Sequence, residues 1–148
     1  MTTALEVFTA AITMMDELND QGQADHSDTA EYKNRTLPIL NILRGELYPY
    51  SDTYAPQDGG RPIAALITDF DVPIELDDYI CQSVMPYGLA AHLLMDENPT
   101  SANFFQQRYD ELKNGLRSGY PSSGSEDIVD VYGGRGGISP YNEFSLWT

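Results

Sequence analysis

The chain has 148 residues, 41% of them apolar, and sets eight Lys and Arg against twenty-three Asp and Glu for a formal charge of −15. That length suits one domain, able to bury about 68–70% of its unfolded surface. The charge argues against ordinary nucleic-acid binding, whose affinity comes from cations on phosphates, and equally against anionic membrane surfaces. The acids are spread through every segment, as on a solvated surface, and form no acidic tail. Apolar runs fall short of the roughly eighteen residues that a membrane span needs. The opening Met1–Glu6 has no basic region, so no signal peptide is expected. A single cysteine, Cys81, excludes an internal disulfide and fits a reducing compartment.

Residues 4–18 read as an amphipathic helix. Leu5, Phe8, Ile12, Met15 and Leu18 recur at three- and four-residue steps, and Thr3 with Glu6 is a capping-box pair. A polar loop from Asn19 to Ser27 follows. A second helix is expected from Ser27 or Asp28 to Leu47, with Tyr32, Thr36, Ile39, Leu40, Leu43 and Leu47 on one face and a kink or break at Pro38.

Residues 49–75 carry Pro49, Pro56, Pro62 and Pro73 with Gly59 and Gly60, and form a long proline-rich connection. Ala64–Thr68 is its one candidate strand, and long connections in compact domains tend to be functional or disordered. The third helix is expected over 76–95, apolar around much of its circumference and therefore the most buried, with Pro86 and Gly88 bending it. Asn98 and Pro99 are an N-cap and first-turn pair that open a fourth helix to about Leu116, with Ala102, Phe105, Tyr109, Leu112 and Leu116 on one face. The fold class is all-α: a four-helix bundle over 1–117 and an extended C-terminal arm over 118–148.

The search for chemistry finds no catalytic constellation. His26 and His92 have no local partner, and Asp77 and Asp78 beside Cys81 raise its pKa rather than activate it. The acidic run Asp69, Asp71, Glu75, Asp77, Asp78 fits a calcium loop poorly, because it lacks the central Gly and places Ile80 where the bidentate Glu belongs. An irregular divalent-cation site stays open. The preference of helix N-termini for acids explains Glu75, Asp77 and Asp78 without a metal. Gly133–Gly137 encloses Arg135 but lacks the Lys-Ser or Lys-Thr of a phosphate loop.

The arm holds six of the twelve glycines and the only tryptophan, so it cannot build a core of its own. It nevertheless keeps Val131, Tyr132, Ile138, Tyr141, Phe144, Leu146 and Trp147, residue types that disordered tails usually lack. An aromatic, glycine-jointed segment suits ordering on a partner, since Tyr and Trp are the usual interface anchors. The alternative is a frayed C-terminus or a tail folded back on its own domain.

Met85–Pro99, Ala102–Leu112 and the ending Val131–Trp147 together resemble the small neck proteins of tailed bacteriophages, the head-to-tail connector or adaptor proteins that form a ring under the portal. The resemblance covers the third and fourth helices and the arm. It implies a non-enzymatic helical bundle with no cofactor, in a homo-oligomeric ring, commonly twelvefold. It also implies arms that embrace the portal protein, downstream tail or stopper proteins as further partners, and a central channel that DNA crosses without tight binding. The location implied is the virion neck, and the host cytoplasm during assembly. In that setting Asp69, Asp71, Asp77 and Asp78 are candidates to face the channel or a subunit junction, where acidic walls repel phosphates. Two other classes are compatible with the composition: an acidic DNA mimic or inhibitor, which needs its carboxylates on one face, and a small metal-dependent enzyme, supported only by the 69–78 stretch.

Overall fold

The computed structural model describes residues 1–53 and 65–118. These lie in the first of two units into which the chain divides, Met1–Ser118 and Gly119–Thr148. The described residues are all-α, with helices packed around one apolar core.

Helix α1 is Ala4–Met14. The Thr3 hydroxyl accepts from the Glu6 N–H at 3.3 Å while the Glu6 carboxylate accepts from the Thr3 N–H at 2.8 Å, the expected capping box. Val7, Phe8, Ala11 and Ile12 are buried. The helix stops at Met14 rather than Leu18, because Asp16 adopts a left-handed φ of +59°. Its N–H bonds the Thr13 carbonyl at 3.2 Å, and the Glu17 N–H reaches back to Ile12 at 3.1 Å. That pair of bonds is a Schellman closure, with aspartate in the place glycine usually takes. Asp16→Gly should therefore stabilise the fold by about 0.5–1 kcal/mol. Chemical denaturation would check it, and a loss of stability would contradict it.

A single 3-10 turn, Ser27–Thr29, leads into α2, Ala30–Leu47. The helix thus starts after the expected Ser27 or Asp28, because the buried Thr29 hydroxyl is bonded to the Ala24 carbonyl at 2.6 Å and holds the turn. α2 runs unbroken through Pro38. Pro38 and Asn34, whose carbonyl loses its proline donor, are both exposed residues.

The expected third helix is two, α3 (Asp78–Ser83) and α4 (Met85–Leu93), joined at Val84. Pro86 explains the break: it has no N–H for the Gln82 carbonyl, and it sits instead in the first turn of α4. α4 packs against α1, α2, α3 and α5, and Met85, Leu89, Ala90 and Leu93 are fully buried, as the apolar circumference led one to expect. Gly88 lets α2 and α5 close on it: a Cβ there would lie 2.9 Å from Leu43 Cδ2 and 3.0 Å from the Tyr109 ring. α5 is Pro99–Ser118, opened by Asn98, whose side-chain oxygen accepts from the Ser101 N–H at 3.2 Å.

No strand forms among the described residues; the one β-bridge joins Thr3 and Pro73. The candidate strand, in its described part 65–68, pairs with side chains of α2 instead. Asn41 accepts from the Ile67 N–H at 2.7 Å and donates to the Ile67 carbonyl at 3.0 Å, and the buried Arg44 donates to the Ala65 carbonyl. Further on, Phe70 accepts from the Leu5 N–H at 3.0 Å and the Ile74 N–H donates to Thr2 at 2.8 Å. The second half of the long connection is thus a strap tied across α2 and the start of α1. Asn41→Ala strips partners from both backbone groups of Ile67 and should cost about 1–3 kcal/mol. A smaller loss than in an exposed control such as Asn34→Ala, measured by urea denaturation, would contradict that.

Candidate partner-docking surfaces

Several titratable groups do structural work. Cys81 is buried with its thiol toward the Leu76 carbonyl at 3.8 Å. Burial pushes that thiol up to about 12, and Asp78 and Asp77 add to the rise against Arg44. Such a thiol is inert as a nucleophile at neutral pH. His26 Nε2 lies 2.8 Å from the Glu17 carbonyl, and His92 sits in the last turn of α4. Tyr32 bonds the Glu97 carboxylate and Tyr109 bonds Glu46 at 2.8 Å, tying α2 to the α4–α5 connection and to α5. Both phenols are held above their ordinary pKa, first by burial and then by the carboxylate each one meets.

The four acids singled out from the sequence divide into two kinds. Asp77 accepts the Asp52 N–H at 2.8 Å, and Ser51 and Thr53 also bond it. Asp78 accepts from the Thr2 N–H at 2.7 Å and the Thr2 hydroxyl at 2.9 Å. Neither side chain caps its own helix: Asp77 holds the 51–53 turn, and Asp78 holds the start of the chain against α3. Asp69 and Asp71 are exposed, and Asp69 only accepts the Asp71 N–H at 3.2 Å. Among the described residues no group of three or more His, Cys, Asp and Glu is placed to hold a metal ion.

Burial pulls Asp77 upward, but the hydrogen bonds from Thr53, Asp52 and Ser51 outweigh it and hold the carboxyl below its ordinary 3.8. A depressed folded pKa gives stability that is complete above the unfolded value and lost as pH falls through the folded one. The stability gap between the wild type and Asp77→Asn should therefore shrink between about pH 5 and pH 2. Urea denaturation across that range checks it, and a constant gap would contradict it.

Every Lys and Arg whose side chain is described has a partner within the chain. Lys33 pairs with Asp25 at 2.6 Å and lies over the Phe70 ring; Arg108 pairs with Glu111 at 3.3 Å; Lys113 faces Glu46 at 3.9 Å and covers Tyr109. Arg35 donates to the Leu93 carbonyl at 3.1 Å, and Arg44 is buried against Ala65. Acids such as Asp16, Asp20, Glu31, Asp52 and Asp96 remain exposed.

Two surface features escaped the sequence reading. Phe104 is 61% exposed although its neighbour Phe105 is buried, the two rings meeting edge to face at 5.5 Å. A groove of about 110 Å³ opens between the end of α4 and the start of α5, lined by Ala91, Met95, Pro99, Ala102, Asn103 and Gln106. The consecutive aromatics were the available signal, since only one of two adjacent helical positions can face the core. The arm residues Val131, Tyr132, Ile138, Tyr141, Phe144, Leu146 and Trp147 lie outside the described residues. Comparison with family models, with curated proteins and with solved structures finds no match to this chain.

Proposed function

We infer that the protein is a structural virion subunit, a head-to-tail connector that forms a ring between portal and tail around a DNA channel. The observation that carries the reading is the state of the charges. Each cation whose side chain is described has a partner inside the subunit, and acids are left on the surface of a chain at −15. Such a surface offers phosphates few counter-charges, which suits a conduit that must pass DNA without holding it. The likeness of Met85–Pro99, Ala102–Leu112 and Val131–Trp147 to phage neck proteins supplies the rest. Twelve copies, an arm docked on the portal, and contacts to a downstream tail or stopper protein belong to this reading.

Within it, Asp69 and Asp71 are the better channel candidates, because neither holds a distant part of the chain, whereas Asp77 and the equally exposed Asp78 are bound to the backbone of Asp52 and Thr2. Changing Asp69 and Asp71 to Lys should slow genome passage and leave assembly intact. The identity itself is tested by quantitative mass spectrometry of purified particles carrying this gene. The reading expects about as many copies as portal subunits, removed together with the head–tail junction. Absence from the particle would overturn it.

A further inference from the structure

We propose that Phe104 of one copy inserts into the groove between α4 and α5 of the next, so that the subunits join head to tail through α5. The proposal rests on the ring reading and names the contact that would build it.

The two features lie on different flanks of one helix. With about 100° between successive residues, Asn103 and Gln106 of α5 share one flank and Phe104 and Arg108 share another, with the buried Ala102, Phe105 and Tyr109 on the third side. A two-fold dimer would need knob and hole within one patch facing the partner, and features on opposite flanks of a helix face different ways. They form a heterologous contact, which repeats from copy to copy and closes into a ring when the rotation allows.

The sizes and charges agree. An apolar cavity of about 150 Å³ accepts a benzene ring. The groove, at about 110 Å³ and open to solvent on one side, is of the order a phenyl ring needs. Its lining carries no charged side chain, unlike most of this acidic surface. Its rim is acidic: the Asp110 carboxylate accepts from Gln106 Nε2 at 3.1 Å, and Asp96 follows Met95 and is exposed. The knob side carries a cation, Arg108, one turn from Phe104. Its present partner, Glu111 at 3.3 Å, is itself 55% exposed. An exposed pair of that kind is weak, and the remaining N–H groups of Arg108 can reach the neighbour's acids while it stays beside Glu111. Phe104 would bring an aromatic anchor into an uncharged pocket with a basic residue facing an acidic rim, the composition of an interface hot spot.

The test uses two full-length variants. Phe104→Glu removes the knob and keeps the groove; Met95→Glu spoils the groove and keeps the knob. Both positions are more than half exposed, so each variant should keep the wild-type circular dichroism and melting temperature. Phe104→Ala serves as the milder second knob variant. Sedimentation equilibrium from micromolar to millimolar concentration reads the result. The wild type should self-associate, and each single variant should weaken that association by roughly thirtyfold or more. An equimolar mixture of the Phe104→Glu and Met95→Glu chains should form a two-copy species and nothing larger, because one intact contact remains and cannot propagate. A monomeric wild type, variants that associate as the wild type does, or a mixture that stays monomeric would each overturn the contact. Portal binding measured on the same variants separates the two ideas. Intact rings on the portal with Phe104→Glu would refute this contact and leave the connector reading standing, whereas no portal binding by the wild type would refute that reading.

Discussion

Gly88→Ala should destabilise the fold by about 1–2 kcal/mol, while Gly45→Ala, the same change in another helix, should stabilise it by about 1 kcal/mol. Helix propensity alone favours alanine at both positions by about 1 kcal/mol. The difference is space. At Gly45, exposed on α2, an added Cβ meets nothing within 4 Å. At Gly88 it meets Leu43 from α2 at 2.9 Å and two ring carbons of Tyr109 from α5 at 3.0 Å. The Leu43 methyl can move, but the Tyr109 ring is 1% exposed and pinned at its hydroxyl by Glu46. Overpacking of that kind costs about 1–3 kcal/mol per insertion, and Gly88→Val should exceed the alanine loss. Urea denaturation of the three variants measures this. Equal signs at Gly45 and Gly88 would show that α4 is not the tightly packed centre described above.

The second large effect concerns the arm. Phe144→Ala combined with Trp147→Ala should leave the helical fold unchanged and abolish attachment to the portal. Burying one such aromatic contributes roughly 1.5–3 kcal/mol by area. Repeated in every copy of a ring, two per arm would dominate the adhesion. Capture of the double variant on immobilised portal at wild-type level would sink the docking role. A chain ending at Gly119 is the matching control. It should stay helical and melt cooperatively, because Thr3–Leu116 holds every amphipathic period and the residues from Ser118 on hold none. Loss of helical structure in that shorter chain would make the arm part of the core.

Local signals were legible in the sequence, and long-range ones were not. Thr3 with Glu6 and Asn98 with Pro99 name their helix starts, since caps act within one turn. The apolar run from Val84 to Leu94 names the buried centre. The end of α1 was hidden because the hydrophobic period continues to Leu18, and nothing marks Asp16 as the left-handed residue that stops it. Two prolines had opposite outcomes for a reason invisible in sequence: Pro38 lies on an exposed face, while Pro86 is buried at a junction. The Asn41–Ile67 pairing spans 26 positions and imitates a strand partner with one amide side chain. The binding of Asp78 to Thr2 spans 76 positions, beyond the reach of any local pattern. The Phe104 knob and the α4–α5 groove depend on how two helices meet, which periodicity alone does not state.

The connector reading stands or falls most directly on the mass of the protein with and without its cognate portal. Size-exclusion chromatography with light scattering should show a complex in which copies of this chain match portal subunits one to one. A free chain that remains smaller than a ring is compatible with a ring that closes on its portal. A portal that elutes unchanged beside the full-length chain, at concentrations where both are folded, would contradict the account.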